Sequence, residues 1–226
     1  MKNLPILIGL GFISISIVLD SCKKEEVSIT VTDKDGNIYN TVTIGTQVWM
    51  KENLKVTKYC NGDLIGTTTP ATLNIYGENT PKYQWAYDGN ETNVDIYGRL
   101  YTWYAITDSR NVCPSGWHVP TFAEWGTLIN HLGGQDIAGG KLKEKGLIHW
   151  RSPNTGANNL SGFTALPGGC RDYDGNFGYV RDMGFWWSST DDINYVPSIN
   201  VYYYQTYVNA EDRYKRYGMS VRCIKN

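Results

Sequence analysis

Catalytic signatures are scarce in this chain. Only three histidines occur, His118, His131 and His149, and they are scattered along its length. No His-Glu-x-x-His offers two ring nitrogens to zinc, and no Gly-x-Ser-x-Gly presents a nucleophile on a strained turn. Acidic and basic residues number 22 and 21, so the net charge is −1 and no bulk field draws the protein to nucleic acid. Internal repeats, heptads and a linker long enough to split the chain are all missing. Leucine, isoleucine and valine are modest in number. The longest apolar run, Leu4 to Leu19, falls short of the roughly 20 residues that a spanning helix needs.

Aromatic residues fill the gap, with 17 Tyr and 8 Trp beside 24 Gly. That composition suits a loop-rich β domain whose large rings supply much of the core. The N-terminus has a short cationic start, Met1-Lys-Asn, and an apolar run of the length a secretory signal uses. The run ends Leu19-Asp20-Ser21-Cys22, which resembles a bacterial lipobox with Cys22 as the lipidated residue, although Asp20 departs from the pattern. Lys23-Lys-Glu-Glu26 resembles the charged signal that directs some lipoproteins to the outer face of the outer membrane. The expectation is a signal peptide over 1–21, a lipidated tether over 22–27 and a folded domain over 28–226. The expected address is the cell surface, held to the outer membrane by the lipid on Cys22.

Within the domain, Thr121-Phe-Ala-Glu124 has the form of a capping box. Trp125, Leu128, Ile129 and Leu132 follow at helical spacing, and Gly133-Gly134 ends the stripe. Tyr97, Leu100, Tyr101 and Tyr104 repeat that spacing and predict a second helix over 97–108. Around this pair the pattern is strand and loop. Asp33-Lys-Asp-Gly-Asn37 and Arg171-Asp-Tyr-Asp-Gly-Asn176 carry Asp-Gly hairpin signals. Phe163–Pro167 and Phe185–Thr190 read as strands, with a turn at Gly168-Gly169. Ile199–Val208 reads as one β-prone run, and Met219–Ile224 as a closing strand with one buried face. Two helices amid β-rich flanks predict an α+β domain. Beyond Cys22, four cysteines remain, Cys60, Cys113, Cys170 and Cys223; in an exported chain an even number implies disulfides, with three pairings open.

Gly45-Thr-Gln-Val-Trp-Met-Lys-Glu-Asn-Leu54, Tyr97-Gly-Arg-Leu-Tyr-Thr-Trp103, Cys113-Pro-Ser-Gly-Trp-His-Val-Pro120, Gly162–Gly169, Phe185–Thr190 and Tyr217–Cys223 run in order along the chain. Together they resemble the successive motifs of the Fibrobacter succinogenes major paralogous domain, a family common on bacterial lipoproteins and without a settled activity. The resemblance implies a C-type lectin-like fold: two helices packed on a small twisted antiparallel β core, with long loops. It also implies a Cys113–Cys223 bridge, which leaves Cys60 to pair with Cys170.

The chemistry expected is recognition rather than catalysis. Enzymes related through the formylglycine-generating fold need a close pair of redox cysteines, and here the cysteines stand far apart in sequence. The Asp-x-Asp-Gly starts at Asp33 and Asp172 lack the closing Glu of a calcium loop, with Ile44 and Met183 at the twelfth position. The Glu-Pro-Asn, Gln-Pro-Asp and Trp-Asn-Asp motifs of calcium-dependent lectins are absent too. No metal and no cofactor is expected. Tyrosines crowd the stretch from Tyr173 to Tyr217, and a strand cannot bury both of its faces against one small core. The expected contact face holds Arg171, Asp172, Asp174, Tyr202, Tyr204 and Arg213. Rings there stack on a sugar or a protein side chain, and charges fix its orientation. The reading is a calcium-independent binding or adhesion module for a glycan or protein. The alternatives are a structural envelope lipoprotein and, more remotely, an enzyme.

Overall fold

The computed structural model describes residues 29–193 and 195–226. The signal segment 1–21, Cys22 and the tether 22–27 lie outside the described residues. In chain order the elements are β1 (Thr30–Thr32), β2 (Ile38–Ile44), β3 (Gln47–Met50), β4 (Gln84–Trp85), α1 (Val94–Tyr97), β5 (Leu100–Tyr101), α2 (Trp103–Ile106) and β6 (Trp117–His118). Then follow α3 (Phe122–His131), α4 (Gln135–Leu142), β7 (Gly168–Arg171), β8 (Phe177–Val180), β9 (Met183–Trp187), β10 (Tyr195–Tyr202), β11 (Val208–Tyr214) and β12 (Ile224–Lys225). The architecture is mixed α and β, mostly antiparallel sheet with few helices. One sheet runs β1-β2-β3-β12-β6, a second β11-β10-β9, and β4-β5 and β7-β8 form separate pairs. The last strand, β12, inserts between β3 and β6, with Ile224 opposite both Trp49 and His118. The two ends of the described chain are thereby tied into one sheet.

The capping box forms. Thr121 Oγ1 accepts from the Glu124 N–H at 3.3 Å, and Glu124 Oε2 accepts from the Thr121 N–H at 2.7 Å. Helix α3 then drives Trp125 and Leu128 into the core, while His131 faces solvent. Trp125 meets Trp49 at 4.8 Å between centroids, Phe163 at 5.9 Å and Trp186 at 6.4 Å. Rings at such separations attract beyond simple burial. His118 is held in place, its Nε2 2.8 Å from Glu124 Oε1 and its Nδ1 2.7 Å from Asn226 Oδ1.

The predicted helix over 97–108 does not form as one element. Gly98 takes φ +74°, and a Cβ there would meet Asn53 Cβ at 2.7 Å. The chain turns at this close approach. Arg99 N–H then bonds Leu54 O, and Tyr101 N–H bonds Met219 O, both at 2.9 Å. Tyr97, Leu100 and Tyr101 of the stripe are buried and Tyr104 partly so, but from a helical turn, a strand and another helical turn. The partner of α3 is instead α4.

Three other expectations change. Residues 163–167 are not a strand, for Ala165 makes one bridge, to Lys143, and pairing begins only at Gly168, which was expected to turn. The run 199–208 is interrupted: β10 stops at Tyr202 and β11 starts at Val208. Lys143, fully buried, sets that break by donating to the carbonyls of Thr155, Tyr202 and Gln205 at 3.0, 2.9 and 2.8 Å. The closing segment buries both faces, since Met219, Ser220, Val221, Arg222, Cys223 and Ile224 are all buried. Among the described residues no carboxylate forms an ion pair with Arg222. Its guanidinium lies 4.1 Å from the Phe163 ring centroid and donates to Asn53 Oδ1 and to the Phe163 carbonyl.

Cys113 and Cys223 are bridged, with Cα atoms 6.0 Å apart, which joins the loop before β6 to the closing segment. The Cys60–Cys170 bridge is not formed. Both are free thiols. Cys60 lies against the Cys113 carbonyl, 2.7 Å from its oxygen, whereas Cys170 sits on β7 opposite Gly178.

Candidate functional site: a tyrosine-walled cavity beside the β7–β8 hairpin

The turn between β7 and β8 is built by one carboxylate. Asp172 Oδ1 accepts from the Asn176 N–H at 2.9 Å, and Oδ2 accepts from Asn176 Nδ2 at 3.0 Å. This hairpin stands against one face of the β9–β10–β11 sheet. Between them opens a cavity of about 550 Å³. Its walls are Asp172, Phe177, Tyr179, Tyr202, Arg213 and Tyr217, with Cys170, Met183 and Phe185 beneath.

Tyr179 is held with φ +66°, a region that non-glycine residues enter only when the surroundings force them. It is 58% exposed, and its ring meets Phe185 edge-on at 5.8 Å. The Arg213 guanidinium carbon lies 5.5 Å from the Phe185 centroid and 6.0 Å from that of Tyr217, so a cation sits between two rings. The Tyr202 hydroxyl donates to Glu211 Oε1 at 3.0 Å, and Arg213 pairs with the other oxygen of the same carboxylate. Burial, helped by that bond to Glu211, raises the Tyr202 phenol above its ordinary value. Tyr202 therefore stays a neutral donor at physiological pH. Burial pushes the Cys170 thiol up to about 12, so the sulfur on the floor is protonated and a poor nucleophile.

Of the six residues expected at a contact face, Asp172, Tyr202 and Arg213 meet around this cavity. Tyr204 is half exposed and lies outside it, with its ring 5.5 Å from Tyr202. One expectation is corrected. Arg171 is fully buried; its guanidinium stacks 4.1 Å from Trp85 and donates to the carbonyls of Ala71, Leu73 and Asp172. It is a strut that pins the 71–73 loop to the hairpin. Asp174 is exposed and does not line the cavity; its Oδ1 accepts from Asn74 Nδ2 at 2.8 Å. Sequence reading missed Phe177, Tyr179, Tyr217 and Glu211. Tyr179 and Tyr217 fall within the tyrosine-rich stretch, which is the one signal that pointed toward them. Glu211 carried none.

The oxygens of Asp33, Asp35 and Asp172 are taken up by turn and neighbour bonds, and among the described residues no three His, Cys, Asp or Glu side chains gather as metal ligands would. No helix among the described residues is long and apolar enough to cross a membrane. A model of the family described as the Fibrobacter succinogenes major domain matches residues 42–225. No curated protein and no solved structure matches the chain.

Proposed function

The chain belongs to the Fibrobacter succinogenes major domain family, and from its cavity we propose that it is a non-catalytic binding module for a glycan. The observation that carries this reading is the meeting of Tyr179, Tyr202 and Tyr217 with Asp172 and Arg213 around one open cavity. Aromatic faces cover the apolar side of a sugar ring, while the carboxylate and the guanidinium hold its hydroxyls. A floor made of a protonated thiol, Met183 and Phe185 brings shape rather than reactivity. Binding in this proposal needs no calcium, because neither Asp-x-Asp-Gly stretch carries the closing Glu of a calcium loop. We place the module at the outer surface of the outer membrane, anchored through a lipid on Cys22, on the strength of the Leu19–Cys22 pattern. We also propose that the fold is C-type lectin-like. The sheet-bound ends, the α3–α4 pair and the loop-to-closing-segment disulfide support it.

The test is a glycan array probed with the full-length lipoprotein in detergent, with and without a chelator. The expected outcome is retention of neutral oligosaccharides in both conditions, with at least about tenfold weaker binding for Tyr179→Ala, a loss near 1.4 kcal/mol. An array that captures nothing overturns the reading, as does a Tyr179→Ala variant that binds like the parent.

A further inference from the structure

Asn200 stands in the middle of β10 and is wholly buried. Register sets its side. Residues directly opposite in antiparallel strands share a face, as do residues two apart along one strand. Asn200 opposes Phe185, Tyr202 opposes Met183, and Val196 opposes Arg213. Four of these, Met183, Phe185, Tyr202 and Arg213, line the cavity. Asn200 therefore lies on the cavity side of the sheet, behind that wall.

Among the described residues neither its Nδ2 nor its Oδ1 has a hydrogen-bond partner, and Arg213 Nε has none either. Its neighbour on the same face, Ser198, is satisfied by a 2.8 Å bond to the Glu211 carbonyl. A buried amide to which the protein offers no partner at either end opposes folding, because it gives up bulk water for no protein hydrogen bond. An apolar side chain of similar volume escapes that penalty, so stability does not account for asparagine here. The surroundings offer another reason. Glu211 ties Tyr202 to Arg213 across the front of this strand segment, and Glu211 is itself only partly buried. Once that tie opens, an amide and a guanidinium N–H face the cavity together.

We propose that Asn200 is the specificity-determining residue of the cavity, a concealed amide that reads a pair of adjacent sugar hydroxyls once a glycan displaces Glu211. This rests on the glycan reading above. A primary amide presents donor and acceptor in one plane, and adjacent hydroxyls present the same pair in return. Arg213 Nε supplies a third bond to the same ligand. Because the amide is already shielded from bulk solvent in the free protein, its bonds to the sugar form at little further cost in burial. A site of this kind rejects an analogue that lacks one hydroxyl far more strongly than an apolar pocket does.

The experiment compares full-length wild type and Asn200→Leu in detergent. The probes are methyl mannoside, methyl glucoside and methyl galactoside, each with its 2-, 3- and 4-deoxy derivatives. The expected result has two parts. Asn200→Leu melts at the same temperature as wild type or higher, and it binds the preferred glycoside at least about tenfold more weakly. Wild type also discriminates against one pair of adjacent deoxy derivatives, and the variant does not. A lower melting temperature for Asn200→Leu shows that the amide serves the fold and overturns the proposal. Equal affinity of the two proteins overturns it while leaving the glycan reading in place. Failure of wild type to bind any of the glycosides overturns this inference, while the oligosaccharide array decides the glycan reading separately.

Discussion

Residues Asp33–Asn37 and Asp172–Asn176 spell the same Asp-x-Asp-Gly-Asn pattern and fold alike. In each, the first Asp takes the N–H and the side-chain amide of the Asn four residues on, at 3.0 and 2.9 Å in one and 2.9 and 3.0 Å in the other. In each the Gly has a positive φ, +87° and +97°. Their surroundings differ. At the first turn, six residues beyond Asp33, the chain carries Tyr39, whose buried hydroxyl donates to Asp33 Oδ2 at 2.5 Å and accepts from the Lys55 N–H at 2.9 Å. Asp35 reaches Thr57 and Lys58. At the second turn, six residues beyond Asp172, the chain carries Gly178, which lines the cavity and has open space where a Cβ would stand. One turn is closed by its own strand. The other keeps its carboxylate at an opening and braces its far side on a separate loop. A shared motif sets the turn, and a residue outside the motif decides whether the space beside it is filled or open.

The largest effect separates the two glycines. A Cβ on Gly175 would lie 2.0 Å from the Thr72 carbonyl oxygen, whereas one on Gly36 would meet nothing within 4 Å. Both carry the left-handed penalty of roughly 1–2 kcal/mol. Only Gly175→Ala adds a collision with backbone, of about 1–3 kcal/mol, and unseats the loop that Arg171 holds. Urea unfolding is expected to show a loss of about 2–5 kcal/mol for Gly175→Ala and about 1–2 kcal/mol for Gly36→Ala. Equal losses would mean that the two turns bear alike on the fold.

The next effect separates the two leading aspartates. Asp33 is buried and accepts from the Asp35 and Asn37 N–H groups, the Asn37 amide and the Tyr39 hydroxyl. Removing it strands several donors away from water. Asp33→Ala is expected to destabilise by about 2–4 kcal/mol, and Asp172→Ala, at the cavity edge, by about 1 kcal/mol. Chemical denaturation of the two variants checks the order. Glycan binding is expected to fall in the second while the first, wherever it stays folded, keeps it.

What the local pattern of the sequence showed shares one property, that its partners are close along the chain; the Cys113–Cys223 bridge, 110 residues apart, came only through the family resemblance. The Thr121–Glu124 capping box and both Asp-Gly turns need only residues within a few positions, and they form as spelled. What could not be read depends on distant partners. The Tyr97–Tyr104 stripe has helical spacing, but Gly98 is drawn against Asn53, and no local pattern shows that contact. Arg171 looked like a surface cation because its partners, Trp85 and the Ala71 and Leu73 carbonyls, lie about a hundred residues upstream. Arg222 alternates with apolar residues as a solvent-facing side chain would, yet it is buried on Phe163 and Asn53. The cavity was half legible for the same reason. Asp172, Tyr202 and Arg213 belong to a visibly polar and aromatic region, but its vacancy follows from Gly178, which the sequence marks by nothing at all.

The smallest change in stability should accompany the clearest change in function. If the six-residue offset from the leading Asp is what separates the turns, Gly178→Tyr turns the second into a copy of the first. A Cβ on Gly178 meets nothing within 4 Å, and its φ is not in the left-handed region. Tyrosine also suits a strand better than glycine does. Its ring then enters the cavity, with its hydroxyl in reach of Asp172 as Tyr39 reaches Asp33. The fold has no reason to resist, so the denaturation midpoint is expected to shift by less than about 1 kcal/mol in either direction. The volume that Tyr179, Tyr202 and Tyr217 enclose is then occupied by the protein itself. Binding to the methyl glycosides is expected to vanish, measured by calorimetry on the same folded sample. Undiminished binding would mean that the glycan sits elsewhere on the tyrosine-rich face, and that the open second turn is a difference in packing without a difference in role.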